Sequence, residues 1–291
     1  MAKPIRVLVL GASGMLGTSM LRAFSDRDGY TVIGAVRSMS PQLREVASGA
    51  EIVVGFDALS SDSLQNVFAR VQPDVVINAV GLIKQLSGGN AVSEAVPINT
   101  MLPHRLQTLA DIAHARLIHV STDCVFSGAK GGYSESDNAD ATDVYGLSKY
   151  LGEVDAPNAI TLRTSIIGHE LASKNGLVEW FLSQKCPIKG YTKAIFSGLP
   201  TVELARVVRD FVLPKPELTG LYHVSAEPIS KYDLLRLVGT MYGHDVDITP
   251  DDTLKIDRSL NSERFRLATG YIPPLWPDLV DVMKHNRIES R

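Results

Sequence analysis

Ile5-Arg-Val-Leu-Val-Leu10-Gly11-Ala-Ser13-Gly14-Met15-Leu16-Gly17-Thr18-Ser-Met-Leu-Arg-Ala-Phe24 reads as a strand, a glycine turn and a helix. The first six residues are a short β-branched and leucine run, and the spacing after Gly17 is helical. Each glycine has its own task in such a turn. Gly11 allows the tight bend, Gly14 lets backbone approach a diphosphate at the helix N-terminus, and Gly17 lets the helix pack on the strand. The spacing is G-x-x-G-x-x-G rather than the general G-x-G-x-x-G. Its place between a buried strand and a helix predicts a nucleotide site built from Gly11, Ser13, Gly14, Met15, Leu16 and Gly17.

Outward from this turn, strands and helices alternate. Tyr30–Val36 reads as a strand ending at Arg37, where an NAD-selective protein often carries an acidic residue for the ribose hydroxyls. An arginine there suits a 2′-phosphate and favours NADPH over NADH; the plain alternative is a solvated strand end. After the strand at Glu51, Asp57 either accepts from an adenine amino group or closes an Asx turn. A helix is predicted around Ser61–Val71. A strand then ends in Asn78-Ala79-Val80-Gly81, small residues that suit close approach of a cofactor. Asn99 lies early in a helical stretch reaching about His114. The strand Arg116–Ser121 leads into Thr122-Asp123-Cys124, a polar loop to Asp140, a helix capped by Asp143, and the strand Ala159–Thr164. This rhythm predicts an α/β fold with a Rossmann-type doubly wound parallel sheet. The dinucleotide-binding domain is expected at 1–168, with 197–225 returning to it, and a smaller α/β substrate lobe at 169–291.

Within the helix after Asp143, Tyr145-Gly-Leu-Ser-Lys149 places a phenol and an ammonium four residues apart, on one face. A phenol titrates near ~10, and a neighbouring cation favours the phenolate, so the pair is expected to serve as a general acid or base. A hydroxyl from Ser121 or Thr122 leaves the carboxyl end of a central strand, where open α/β sheets bind ligands.

Composition narrows the alternatives. A formal charge of −3 with scattered basic residues gives no footprint for nucleic acid. Cys124 and Cys186 are too few for a disulfide framework and lack metal-ligand spacing, so no metal is expected. The apolar run Val7–Leu10 is cut off by Gly11, and no apolar run is long enough to span a bilayer. A cytoplasmic protein with no membrane partner is the expectation.

Taken in order, the glycine turn, Asn78, Ser121-Thr122 and Tyr145/Lys149 resemble the extended short-chain dehydrogenase/reductase superfamily. Within it, Ser121-Thr-Asp-Cys-Val-Phe-Ser-Gly128, Tyr145-Gly-Leu-Ser-Lys149 with Gly152-Glu153, Arg163-Thr-Ser165 and Pro200-Thr201 are most similar to the dTDP-4-dehydrorhamnose reductase family of sugar nucleotide reductases. The resemblance implies reduction of a 4-keto group on a nucleotide-activated deoxysugar, for cell-surface polysaccharide, by NADPH or NADH. By position, Tyr145 would donate the proton, Lys149 would hold the nicotinamide ribose and lower the phenol's pKa, and Thr122 would polarise the carbonyl. Gly11, Ser13, Gly14, Met15, Leu16, Gly17, Arg37, Asp57, Ala79, Val80, Gly81, Asn99, Ser121, Tyr145 and Lys149 would surround the cofactor. Lys84, Asp123, Cys124 and Arg258 are the candidates facing the substrate; Lys193 is a further cation for a diphosphate, and Trp180 and Tyr191 could stack on a base. A homodimer is the candidate assembly.

The chain departs from that family where Gly81-Leu-Ile-Lys-Gln85 follows Asn78-Ala79, where Ile166-Ile167 replaces an aromatic, and where Cys124 stands for a tyrosine. These departures put the identity of the sugar in doubt. Cys124 also resembles the base of GDP-fucose synthase, which would make the protein an epimerase and reductase with a near-neutral thiol paired to His169 or another histidine. A third reading is a cofactor-binding regulatory subunit like that of methionine adenosyltransferase, and a fourth is a dehydratase or epimerase of the same fold. No Glu follows Asp123, which argues against a 4,6-dehydratase.

Overall fold

The computed structural model describes residues 3–25, 27–82, 91–171 and 173–287. Strand β1 (Ile5–Leu10) lies at the centre because its side chains are apolar on both faces: Val7 and Val9 enter one core, Leu8 and Leu10 the other. After it come α1 (Met15–Ser25), β2 (Tyr30–Val36), α2 (Pro41–Val46), β3 (Glu51–Val54), α3 (Ser61–Val71) and β4 (Val75–Asn78). Next are α4 (Ala91–Ala95), a π-helical turn (Val96–Met101), α5 (Leu102–Ile112), β5 (Arg116–Thr122), α6 (Val144–Leu151) and β6 (Ala159–Thr164).

The second part of the chain is built from shorter pieces. It runs through β7 (Ile166–Ile167), α7 (Leu177–Leu182), β8 (Ile188–Tyr191), β9 (Ala194–Phe196), β10 (Leu199–Pro200), α8 (Thr201–Val207) and β11 (Gly220–His223). It ends with β12 (Ile229–Ser230), α9 (Lys231–Tyr242), β13 (Ile248–Asp251), β14 (Ile256–Asp257), α10 (Glu263–Thr269) and α11 (Trp276–His285).

The main sheet is seven-stranded in the order β3-β2-β1-β4-β5-β6-β11, and every pairing in it is parallel. Chain order reverses between β1 and β4, which opens a crevice at their carboxyl ends. Strand β11 pairs with β6, so the chain returns to the sheet after α8. The smaller strands form β8/β13, β7/β10 and β12-β9-β14. One apolar core runs from Val9 and Phe24 through Phe181, Val238, Phe265 and Trp276, so residues after 169 pack on the α1 face of the sheet. A second core lies under α3 and α5.

The helix expected from Asn99 onward is interrupted by the π-helical turn, and prolines explain its position. Pro97 and Pro103 have no N–H, and Leu102 donates to the Pro97 carbonyl five residues back. The widened turn meets α6 closely. A Cβ added at Gly152 would fall 1.9 Å from the Asn99 carbonyl oxygen, and one at Gly146 would fall 2.3 Å from the Cys124 carbonyl oxygen. Helix α6 is therefore seated between two backbone walls, and only glycine fits at either contact. Gly152→Ala is expected to lower stability by about 1–3 kcal/mol through overpacking, read as a lower urea midpoint at unchanged slope.

Candidate active site

The crevice begins at Gly11, whose φ of +76° is strained for any residue with a side chain. A Cβ there would also lie 2.9 Å from the Ala79 carbonyl oxygen, so the β1 and β4 edges touch at this glycine. Ser13 and Gly14 are exposed at the crevice, and a Cβ on Gly14 would meet nothing within 4 Å except the Gly11 oxygen at 3.3 Å. The first turn of α1 carries no acidic residue. Free N–H groups at a helix start, no opposing carboxylate and room above Gly14 fit the diphosphate of a dinucleotide. Met15 is half-buried, while Leu16 is in the core and could offer a ligand only its backbone.

Other expected cofactor contacts divide. Arg37 is exposed just beyond β2, and Ala79, Val80 and Gly81 line the β4 side. Asp57 forms the Asx turn: its Oδ1 accepts from Leu59 N at 2.9 Å, and the residue remains exposed. Asn99 is 1% exposed and does not face the crevice with a free amide. Its Oδ1 accepts from Leu82 N at 2.9 Å, and its Nδ2 donates to the Leu82 carbonyl and to Ser148 Oγ. It ties the loop after β4 to α6. Ser121 is likewise engaged, donating to Glu153 Oε1 at 2.7 Å.

Thr122, Tyr145 and Lys149 do converge. Thr122 caps the short turn Asp123–Val125, accepting from Cys124 N at 3.1 Å and donating to Asp123 Oδ1 at 3.2 Å. The half-buried Tyr145 phenol lies beside the Thr122 hydroxyl, close enough for Thr122 to favour its ionised form. Lys149, one turn along α6, is 6% exposed and donates to the Val120 carbonyl at 2.8 Å. Asp143 fixes the start of this helix by accepting from Gly146 N.

The electrostatics correct one expectation. Burial raises the Tyr145 phenol above its ordinary value, with Cys124 adding to the rise and Thr122 opposing it. Burial also pulls Lys149 down to about 8, opposed by Glu153. In the folded chain the phenol is thus not acidified by the amine. Loss of water around both groups is the largest cause of each shift, and each is pushed toward its neutral form.

Asp123 is buried, and burial raises its carboxyl against the pull of Arg258, its Thr122 and Cys124 bonds, and Lys231. Arg258 approaches from the second part of the chain and donates through Nε to the Phe126 carbonyl at 2.7 Å. The Cys124 thiol is pushed up to about 12 by burial and Asp123, opposite to the near-neutral thiol an epimerase base needs. His169, its expected partner, engages both ring nitrogens elsewhere, Nδ1 with Glu179 and Nε2 with the Tyr242 hydroxyl.

Lys84 lies outside the described residues. Lys193 pairs with Asp252 at the surface, and Trp180 and Tyr191 are exposed away from these contacts. Lys231 and Glu153 were not singled out for a role by local pattern, since their partners are distant in sequence; only the motif Gly152-Glu153 carried a trace of the latter. Among the described residues no group of His, Cys, Asp and Glu is placed to hold a metal ion, and no helix is long and apolar enough to cross a membrane.

The sequence model of one family, the RmlD substrate binding domain, matches residues 5–261. The chain is 28% identical over 239 residues to a dTDP-4-dehydrorhamnose reductase of Aggregatibacter actinomycetemcomitans, covering 78% of this chain and 76% of that one. It is 27% identical over 243 residues to methionine adenosyltransferase 2 subunit beta of Danio rerio, covering 79% and 71%. In structure it resembles a dTDP-4-dehydrorhamnose reductase from Bacillus anthracis in complex with NADP, with a TM-score of 0.80, 21% identity, and 99% and 100% of the two chains covered.

The two thiols should separate chemically. At pH 8 a thiol titrating near 12 is ionised in roughly one molecule in ten thousand, whereas Cys186 is exposed. Iodoacetamide followed by peptide mass spectrometry is expected to label Cys186 and leave Cys124 intact; equal rates would mean that Cys124 is not held in a dry site.

Proposed function

The chain belongs to the RmlD substrate binding domain family, and from that premise we propose that it reduces the 4-keto group of a nucleotide-activated deoxysugar with NADPH or NADH. The product would serve cell-surface polysaccharide synthesis, in keeping with the reductase relatives. The observation that carries this reading is the convergence of Thr122 and Tyr145 at the carboxyl end of β5, with Lys149 buried one turn away.

The glycine turn and the first turn of α1 would hold the cofactor diphosphate, Arg37 a 2′-phosphate, and Lys149 the nicotinamide ribose. A nicotinamide cofactor supplies a hydride when bound. Tyr145 supplies the proton: the phenol is O–H at neutral pH, the state a donor must have when the carbonyl oxygen gains charge. Thr122 exchanges its long bond to Asp123 for the same oxygen and places a second donor there. Residues 169–291 form the substrate lobe in this reading, with Arg258 and Asp123 on the sugar-nucleotide side and Cys124 as an inert wall. The protein would work in the cytoplasm, where a homodimer is the assembly to look for.

The test is a panel of nucleotide 4-keto-6-deoxysugars with NADPH and NADH, followed by cofactor absorbance. Oxidation on at least one member is expected; Tyr145→Phe should lower kcat by about 10²–10⁴, and Thr122→Val by about 10²–10³, more than Ser121→Ala does. Cofactor binding without turnover on any member would sink the reading in favour of a binding subunit. Solvent deuterium appearing beside the ketone would support the epimerase instead.

A further inference from the structure

Glu153 follows α6 directly, and its carboxylate is almost fully enclosed. Arg163 of β6 grips it twice, Nε to Oε1 at 2.7 Å and Nη2 to Oε2 at 2.6 Å, with the two side chains 3% and 11% exposed. Ser121 Oγ gives Oε1 a further bond at 2.7 Å. Arg163 is itself clamped: Nη1 lies 3.3 Å from His223 Nε2, His223 Nδ1 meets the Tyr133 carbonyl at 3.0 Å, and the guanidinium sits 5.2 Å over the Phe126 ring. Neither member of the pair can swing out to water.

Lys149 and Glu153 are anchored on consecutive residues of β5, the amine donating to the Val120 carbonyl at 2.8 Å and the carboxylate accepting from Ser121, and among the described residues Glu153 is the one carboxylate that acts on the amine. The titratable groups around that amine are few. Tyr145 lies one turn back on α6, His119 faces it from β5 and is held neutral by burial, His104 of α5 acts on His119, and Arg163 of β6 stands behind Glu153.

Resting on the reduction proposed above, we infer that Glu153 is a positioning residue for it. Glu153 fixes the Ser121 hydroxyl, leaving Thr122 to face the substrate, and it supplies the anion that keeps the Lys149 amine charged. Arg163 sets how much of that anion Lys149 feels. A buried ion pair that merely tied α6 to β6 would affect stability without touching Lys149.

The two roles separate in the pH dependence of the full chain's stability, measured by urea unfolding without cofactor or substrate. A lysine near ~10.4 when unfolded and about 8 when folded binds more protons in the unfolded state between these values. Its contribution to stability therefore rises with pH across that window. In Glu153→Gln the counter-charge is lost and Arg163 is left uncompensated, so the onset of the rise should move down by about one pH unit. In Arg163→Gln the carboxylate is freed toward Lys149, and the onset should move up. Glu153→Asp keeps the charge and should restore the wild-type onset. Curves displaced in parallel, or onsets moving the same way in both Gln variants, would overturn the proposal. If Glu153→Gln does not fold, Arg163→Gln decides alone: an upward onset supports the role and an unmoved one refutes it. Because this measurement needs no turnover, it stands apart from the sugar panel. In an active enzyme the alkaline limb of kcat moves in the same directions.

Discussion

A buried ammonium sets the terms for the rest of this site. Removing a lysine amine from water costs several kcal/mol unless hydrogen bonds and an opposite charge replace the hydration. Lys149 has the Val120 carbonyl at 2.8 Å and the Glu153 carboxylate nearby. Both exist only because α6 lies close against β5, and that seating depends on Gly146 and Gly152 meeting carbonyl oxygens where no Cβ fits. The same approach brings Tyr145 to Thr122 at the strand end. A helix set an ångström further out would lose the carbonyl contact of the amine and the hydroxyl contact of the phenol together.

The residues beyond β6 are bound to this arrangement at two levels. Their apolar side chains continue the core on the α1 face, so the later part of the chain and the sheet share one interior. Their polar groups reach the site through Phe126 and Tyr133, whose rings stack 4.1 Å apart. Arg258 donates to the Phe126 carbonyl, while Tyr133 exchanges backbone hydrogen bonds with Ser259 and Asn261. The turn carrying Asp123 and Cys124 is therefore positioned from both sides, and a change at Arg258–Asn261 is felt at the carboxyl end of β5.

How much could be read from sequence follows the range of the interactions. The β1 turn and α1 were legible because strand, glycine bend and helix start are local, and Gly11 has the positive φ its place demands. The Tyr145–Lys149 spacing was legible because helical periodicity alone puts both on one face. What the pair does electrically was not. Acidification of the phenol was expected from a neighbour four residues away, but burial comes from β5, the turn at Cys124 and the π-helical turn, all remote in sequence. The bonds that hold Asn99 and Ser121 were hidden for the same reason: their partners, the Ser148 hydroxyl and the Glu153 carboxylate, lie more than thirty positions on. The π-helical turn itself had a visible cause in Pro97 and Pro103, although its exact width depends on α6.

Burial pushes three groups of this site in one chemical direction. The phenol rises, the thiol rises to about 12, and the amine falls to about 8, each toward the form without charge. A site biased in that way keeps its phenol and its thiol protonated at neutral pH, so neither stands ready as a base. Epimerisation beside a ketone begins with a base, and Cys124 is unfit for that step, with His169 committed to Glu179 and Tyr242. Reduction of a ketone ends with a proton delivered to oxygen, and Tyr145 holds one beside Thr122. The dry packing of α6 on β5 thereby denies the thiol a base's part and leaves the phenol carrying the proton that reduction of a ketone requires.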